Sequence, residues 1–317
     1  MSEETKPRTI GPYQVVALLG RRHPATLYQA TGPDGQPVVV ELFSRALSEP
    51  AAVERFQREV HEIAGLEHTH LLRLYASGEA EGQVYLVREP WGGRALSEIL
   101  AERRPALPEA ISVFKGILRG LGQLHQRGLL HRDLNPSTVL TTDDFSQVKL
   151  AGFGLGRADA LGGTTGTLST GEVSLSNIYY LSPEQAEGRP GDARSDLYSA
   201  GVLFHQLLTG RAPSAKFGLP SQLNPELPPE VDTLVLKCLA RRPEERYSNV
   251  PHLSADLARL EEILRLRLHS QLQGISRSTS RLLGQGEGGR RRSPGLLWGG
   301  IALAVAITAV VIFLLVR

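Results

Sequence analysis

From Leu296 to Val316 the chain reads LLWGGIALAVAITAVVIFLLV, 21 residues without a charge. As a helix rising 1.5 Å per residue this stretch is about 31 Å long, the thickness of a bilayer's hydrocarbon core. A core helix of a globular domain seldom runs so far uncharged, so residues 296–316 are expected to form a transmembrane helix. Trp298 falls at interfacial depth. Arg290, Arg291 and Arg292 precede the span and only Arg317 follows it, which places everything N-terminal in the cytoplasm by the positive-inside rule. The opening MSEETKPRTI is polar and charged, unlike a secretory signal. The expectation is a single-pass, tail-anchored membrane protein with its N-terminal domain in the cytoplasm.

Charge divides the chain in the same way. Residues 265–293 hold seven arginines against Glu287, a net +6. The whole chain is +2, so with Arg317 counted the first 264 residues carry −5. An acidic body on a basic stem argues against nucleic acid as a partner. Residues 269–295 are rich in Gly, Ser and Arg and read as a juxtamembrane linker, a flexible tether. The arginine triplet is either a topology signal alone or a contact with anionic lipid heads, which would make residues 290–316 the lipid-facing part. Cys238 is the single cysteine, so there is no internal disulfide and no cysteine metal pattern. It reads as a small buried hydrophobe in a reducing compartment.

After an N-terminal tail, residues 1–11, short β-rich runs appear: YQVVALL, ATLYQAT and QPVVVELF, with the turn GPDG at 32–35. AAVERFQREVHEIAG (51–65) carries Val53, Phe56, Val60 and Ile63 at helical spacing. Two more strands follow, LLRLYASGEA and GQVYLVRE. Beyond about residue 96 the pattern turns helical at 107–127, 193–209, 228–240 and 250–268. A small β-rich lobe (about 12–90) followed by a larger helical lobe (about 91–268) is an α+β arrangement with a cleft between its halves.

Five stretches then occur in a telling order: HRDLNPSTVL (131–140), VKLAGFGLGR (148–157), LSPEQ (181–185), SDLYSAGVLFHQLLTGRAP (195–213) and CLARRPEERY (238–247). Together they resemble the catalytic domain of bacterial transmembrane serine/threonine protein kinases over residues 12–268. The resemblance implies a two-lobed fold in which His131 and Phe153 stack with Ile63 and Leu74 as an apolar spine, with Asp196 anchoring its base. It pairs Glu184 with Arg246 to tie the activation segment to the helical lobe, and it makes Gly201 the small residue of the central helix.

The same resemblance marks what is missing. Phosphoryl transfer relies on positioned ATP and on metal ions held by the Asp of an Asp-Phe-Gly turn and by a catalytic-loop Asn. Those positions are Gly152 and Thr138 here, and the catalytic-loop lysine is Asn135. The strand lysine that grips ATP phosphates falls on Glu41, a reversal of charge. The Gly-rich loop becomes GRRHPA: Gly20 remains, Arg22 and Ala25 replace glycines, and Pro24 removes an N–H. No lysine lies between Lys6 and Lys115 to substitute. Asp143 and Asp144 read as a solvated turn. Asp133 keeps the position of the catalytic base, where it serves either as that base or as a structural partner of Arg132 and the loop. Losing one electrostatic stabiliser typically costs about 10²–10³ in rate, and several are gone.

Aligned on the family's hinge, YLVREPWGG puts Arg88 at the back of the nucleotide pocket, whose walls would include Val39 and Leu140. Glu59 keeps the position that pairs with the strand lysine, so it would face Glu41. Arg88 either bridges the two carboxylates with its planar fork or points to solvent from a shifted strand. The serine- and threonine-rich stretch 162–177 is either a phosphoacceptor for another kinase or a plain loop. The resulting expectation is a membrane-anchored pseudokinase, a signalling scaffold or docking module with no cofactor, working with a protein partner such as an active kinase or its substrate. The alternatives are a divergent active kinase using ATP and Mg, and a metal-independent nucleotide-binding switch.

Overall fold

The computed structural model describes residues 9–22, 25–43, 58, 60–153, 178–211 and 218–284. The chain divides into two compact units, Met1–Glu261 and Glu262–Arg317.

Alternating and β-branched runs build the small lobe. The strands are β1 (Thr9–Ile10), β2 (Tyr13–Arg22), β3 (Ala25–Thr31), β4 (Pro37–Phe43), β5 (Leu74–Ala80) and β6 (Gln83–Arg88). They form one antiparallel sheet in the order β1-β2-β3-β4-β6-β5. Val38, Val39 and Val40 are all buried, so β4 is covered on both faces, as expected of a central strand rich in valine. Ile10, Ala30, Val38, Val40, Tyr85 and Val87 make one core cluster on this sheet. Residues 60–64 are helical, within the helix read from the spacing at 51–65.

The large lobe holds α1 (Leu96–Glu102), α2 (Leu107–Gln126), α3 (Pro183–Ala186), α4 (Ala193–Thr209), α5 (Pro220–Leu223), α6 (Glu230–Cys238) and α7, which begins at Val250 and runs to Gly284. Helix α4 is buried almost throughout, and its Phe204 stacks on Phe114 of α2 with ring centroids 4.1 Å apart. A side chain at Gly201 would collide with Cys238, so glycine is what lets α6 pack against α4. A three-stranded sheet joins β7 (Arg94–Ala95), just before α1, to β8 (Val139–Thr141) and β9 (Val148–Leu150), which follow α2. It carries the loops that matter below.

Two features differ from the sequence reading. Helix α1 and the small sheet were not anticipated, because their runs of two, three and seven residues are too short to show a period. Residues 269–284, read as part of a flexible linker, continue helix α7; the leucines at 264, 268 and 272 keep helical spacing through the arginine-rich composition. Among the described residues no helix is long and apolar enough to cross a membrane. The span at 296–316 lies outside the described residues.

Candidate functional site

The loop between His131 and Thr138 is held by side chains that bond its backbone, one of them from α4. Asp196, near the start of α4, accepts from His131 N–H at 2.9 Å and Arg132 N–H at 2.8 Å, and its Oδ2 lies 2.8 Å from His125 Nε2. This grip holds Arg132 at φ +68°, a left-handed conformation that costs a non-glycine residue about 1 kcal/mol or more. His131 is fully buried, and its ring meets Phe153 edge to face at 6.3 Å. Ile63 and Leu74 are buried too. Burial lowers the His131 pKa to about 4, so the ring is neutral at physiological pH.

The residues at the catalytic positions bond to one another. Asn135 Nδ2 donates to Asp133 Oδ1 at 2.9 Å and to the Asp133 carbonyl at 3.1 Å, and Asn135 Oδ1 accepts from Ser137 N–H at 2.9 Å. Thr138 Oγ1 donates to the Asp133 carbonyl at 2.9 Å, with the Asn135 carbonyl at 3.0 Å, and accepts from Asn135 N–H at 3.1 Å. The Thr138 hydroxyl is thus spent inside its own loop. Gly152 sits at φ +71°, and a Cβ there would approach Thr138 Cγ2 at 3.1 Å.

Across the cleft, Arg88 on β6 is only 8% exposed and reaches Glu41 on β4, with Nε 2.5 Å from Oε1. Val39, directly paired with Arg88 in the sheet, is buried, as is Leu140. Arg88 Nη1 also donates to the Glu89 carbonyl at 3.2 Å. The inward placement of Arg88 settles its direction, while Glu59, its second expected partner, lies outside the described residues. Of the nucleotide loop, Gly20 and Arg22 are at the end of β2, Ala25 opens β3, and Pro24 lies outside the described residues.

Sequence reading missed the residues behind the hinge. Lys149 Nζ lies 2.6 Å from Glu89 Oε1 and 5.3 Å from the centre of the Trp91 ring. Neither segment carries a local signal for this contact, because the two residues are 60 positions apart in the chain. Further down, Arg246 holds Glu184 through two parallel bonds of 2.7 Å. Burial pushes the Glu184 carboxyl up, but hydrogen bonds from Arg246 and Ser195 outweigh it and hold the pKa at about 2. Asp144 caps its own turn, accepting from Thr142 and Ser146, and Asp143 pairs with Arg94.

ATP and a divalent metal do not fit these residues. Gly152 offers no ligand, the Thr138 hydroxyl is internally bonded, and the position of the phosphate-gripping cation is a carboxylate already tied to Arg88. Among the described residues no cluster of three His, Cys, Asp or Glu side chains is placed to hold a metal ion. What remains at these positions is the hydrogen-bonded loop, the buried His131–Phe153 contact and the Glu184–Arg246 pair.

The model for the protein kinase domain matches residues 13–258. A probable serine/threonine-protein kinase of Streptomyces coelicolor is 35% identical over 274 residues, covering 80% of this chain and 40% of the relative. The serine/threonine-protein kinase PknL of Mycobacterium tuberculosis is 39% identical over 219 residues, covering 64% of this chain and 54% of the relative. The chain thus spans about half the length of these relatives or less. The crystal structure of the Mycobacterium tuberculosis PknI kinase domain superposes with a TM-score of 0.66 at 25% identity, covering 79% of this chain and 97% of that one.

Proposed function

Because the chain belongs to the protein kinase domain family, we propose that it is a member kept for its fold: a membrane-anchored pseudokinase that docks or positions a signalling partner and does not transfer phosphate. One observation carries this reading. The four positions on which metal and phosphate handling depend are Glu41, Asn135, Thr138 and Gly152, and the three that have side chains are engaged with neighbouring residues. The groups that keep the fold in shape, by contrast, are intact: Asp196 under the loop, and Glu184 with Arg246. The uncharged stretch 296–316 and the arginines before it support an anchor with the kinase-like body on the cytoplasmic side. The partner proposed is a protein, an active kinase or the substrate of one.

A second reading, transfer of phosphate from ATP to protein, is favoured by the names of the relatives, which are serine/threonine-protein kinases, and by the retained Asp133. Taken alone, the comparisons favour it over the first. Genetic complementation separates the two. In a strain lacking this chain, the Asp133→Asn form restores the wild-type phenotype if docking is the function. Restoration by the wild type alone, with the variant present at equal abundance in the membrane, would reject the docking reading.

A further inference from the structure

We infer that Arg88 is a built-in occupant of the cleft, tying up both Glu41 and the Glu89 carbonyl and so keeping purine nucleotides out. The inference rests on the pseudokinase reading and deepens it, since a chain without phosphoryl transfer can still bind ATP as a switch.

The argument starts from what each end of a nucleotide requires. The phosphate end needs positive charge. Where the family's phosphate-gripping lysine stands, this chain has Glu41, and its charge is already neutralised by Arg88 Nε at 2.5 Å. A triphosphate brought here meets a carboxylate and has to compete with it for the guanidinium. The base end needs free backbone donors and acceptors in the segment joining the lobes. At Glu89 they are taken: its N–H donates to the Arg73 carbonyl at 3.0 Å, and its carbonyl accepts from Arg88 Nη1 at 3.2 Å. The Glu89 carboxylate is occupied as well, by Arg73 N–H and by Lys149 Nζ. One guanidinium therefore engages both Glu41 and the Glu89 carbonyl, and Lys149 pairs with the Glu89 carboxylate.

Packing completes the plug. Arg88 and Val39 are register partners on adjacent strands, and both are buried, Arg88 to 8% exposure and Val39 to 4%. Leu140 on β8 is also 4% exposed. A charged pair buried this far is held by geometry and by its desolvation once formed, because removing either member strands the other. A nucleotide has to displace an internal ligand that is always present at effectively fixed concentration.

The test is a thermal melt of the full chain in detergent, titrated with ATP plus chelator, ATP plus magnesium, and adenosine. The wild type is expected to melt at the same temperature, within about 1 °C, in all of them. Glu41→Lys combined with Arg88→Met removes the plug and supplies a cation, and should gain a saturable, metal-independent rise of roughly 5–10 °C with ATP. Arg88→Met alone leaves Glu41 facing the phosphates, so its probe is adenosine, which should now raise the melting temperature. Saturable stabilisation of the wild type by ATP overturns the inference. So does a cooperative melt of either variant that ignores its probe. ATP binding by the wild type without phosphate transfer overturns the plug alone; transfer to protein overturns the reading beneath it.

Discussion

Asn135 Nδ2 donates to Asp133 Oδ1 at 2.9 Å. The residue at the catalytic-base position is therefore a hydrogen-bonded member of its own loop, with Thr138 completing the bonding through the Asp133 carbonyl. Removing Asp133 should act on stability. Asp133→Ala and Asn135→Ala are each expected to lower unfolding free energy by about 1–2 kcal/mol, with the double variant losing less than the sum. Urea melts of the three variants check this; additive losses would mean the bond contributes nothing.

The Arg88–Glu41 pair sets a second expectation. Breaking a fully buried ion pair costs about 3–5 kcal/mol, and the lower end applies because the Glu41 side chain keeps 20% of its surface exposed. Arg88→Met should lower stability by about 3 kcal/mol, and adding Glu41→Gln should recover part of that by removing the stranded charge. Equilibrium denaturation of both singles and the double measures the coupling, and a change below about 0.5 kcal/mol in Arg88→Met would contradict it.

Gly152 gives a backbone prediction. At φ +71°, with Thr138 Cγ2 at 3.1 Å from any added Cβ, Gly152→Ala should cost about 1 kcal/mol or more. Asp tolerates left-handed φ better than Ala, so Gly152→Asp should cost less than Gly152→Ala. Restoring this one carboxylate should not restore transfer, because Glu41, Asn135 and Thr138 remain. Denaturation midpoints rank the two variants, and a phosphate-incorporation assay on Gly152→Asp checks the second half.

His131 predicts a pH dependence. Its folded pKa, lowered to about 4 by burial, lies below the 6.5 of the unfolded chain. The unfolded state therefore binds the extra proton between those values. Stability from this group is complete above pH 6.5 and is lost progressively as pH falls toward 4. Each unit of separation is worth about 1.4 kcal/mol. Urea midpoints of the wild type and His131→Phe, compared from pH 7 to pH 4, should diverge, the wild type falling more steeply. Parallel curves would contradict the assignment.

The lobes were legible in the sequence because β4 and α4 carry long, regular apolar patterns, and because the loop motifs keep their spacing. The direction of Arg88 was not, since period and propensity are silent on which face of β6 holds residue 88 when both faces are covered. Lys149 went unnoticed for a related reason: its role depends on Glu89, 60 positions away, and no pattern local to either segment pairs the two. The helical continuation over 269–284 was hidden by composition, because Gly, Ser and Arg suggest a tether while the leucine spacing favours helix. The segments holding Glu59 and the stretch 162–177 lie outside the described residues.

The central claim is that this fold no longer moves phosphate. The direct measurement incubates the purified full chain with ATP labelled at the terminal phosphate, a generic protein acceptor, and magnesium or manganese, beside an Asp133→Asn control. The account predicts no incorporation into the chain or the acceptor above that control with either metal. Metal-dependent incorporation by the wild type that disappears in Asp133→Asn would contradict it.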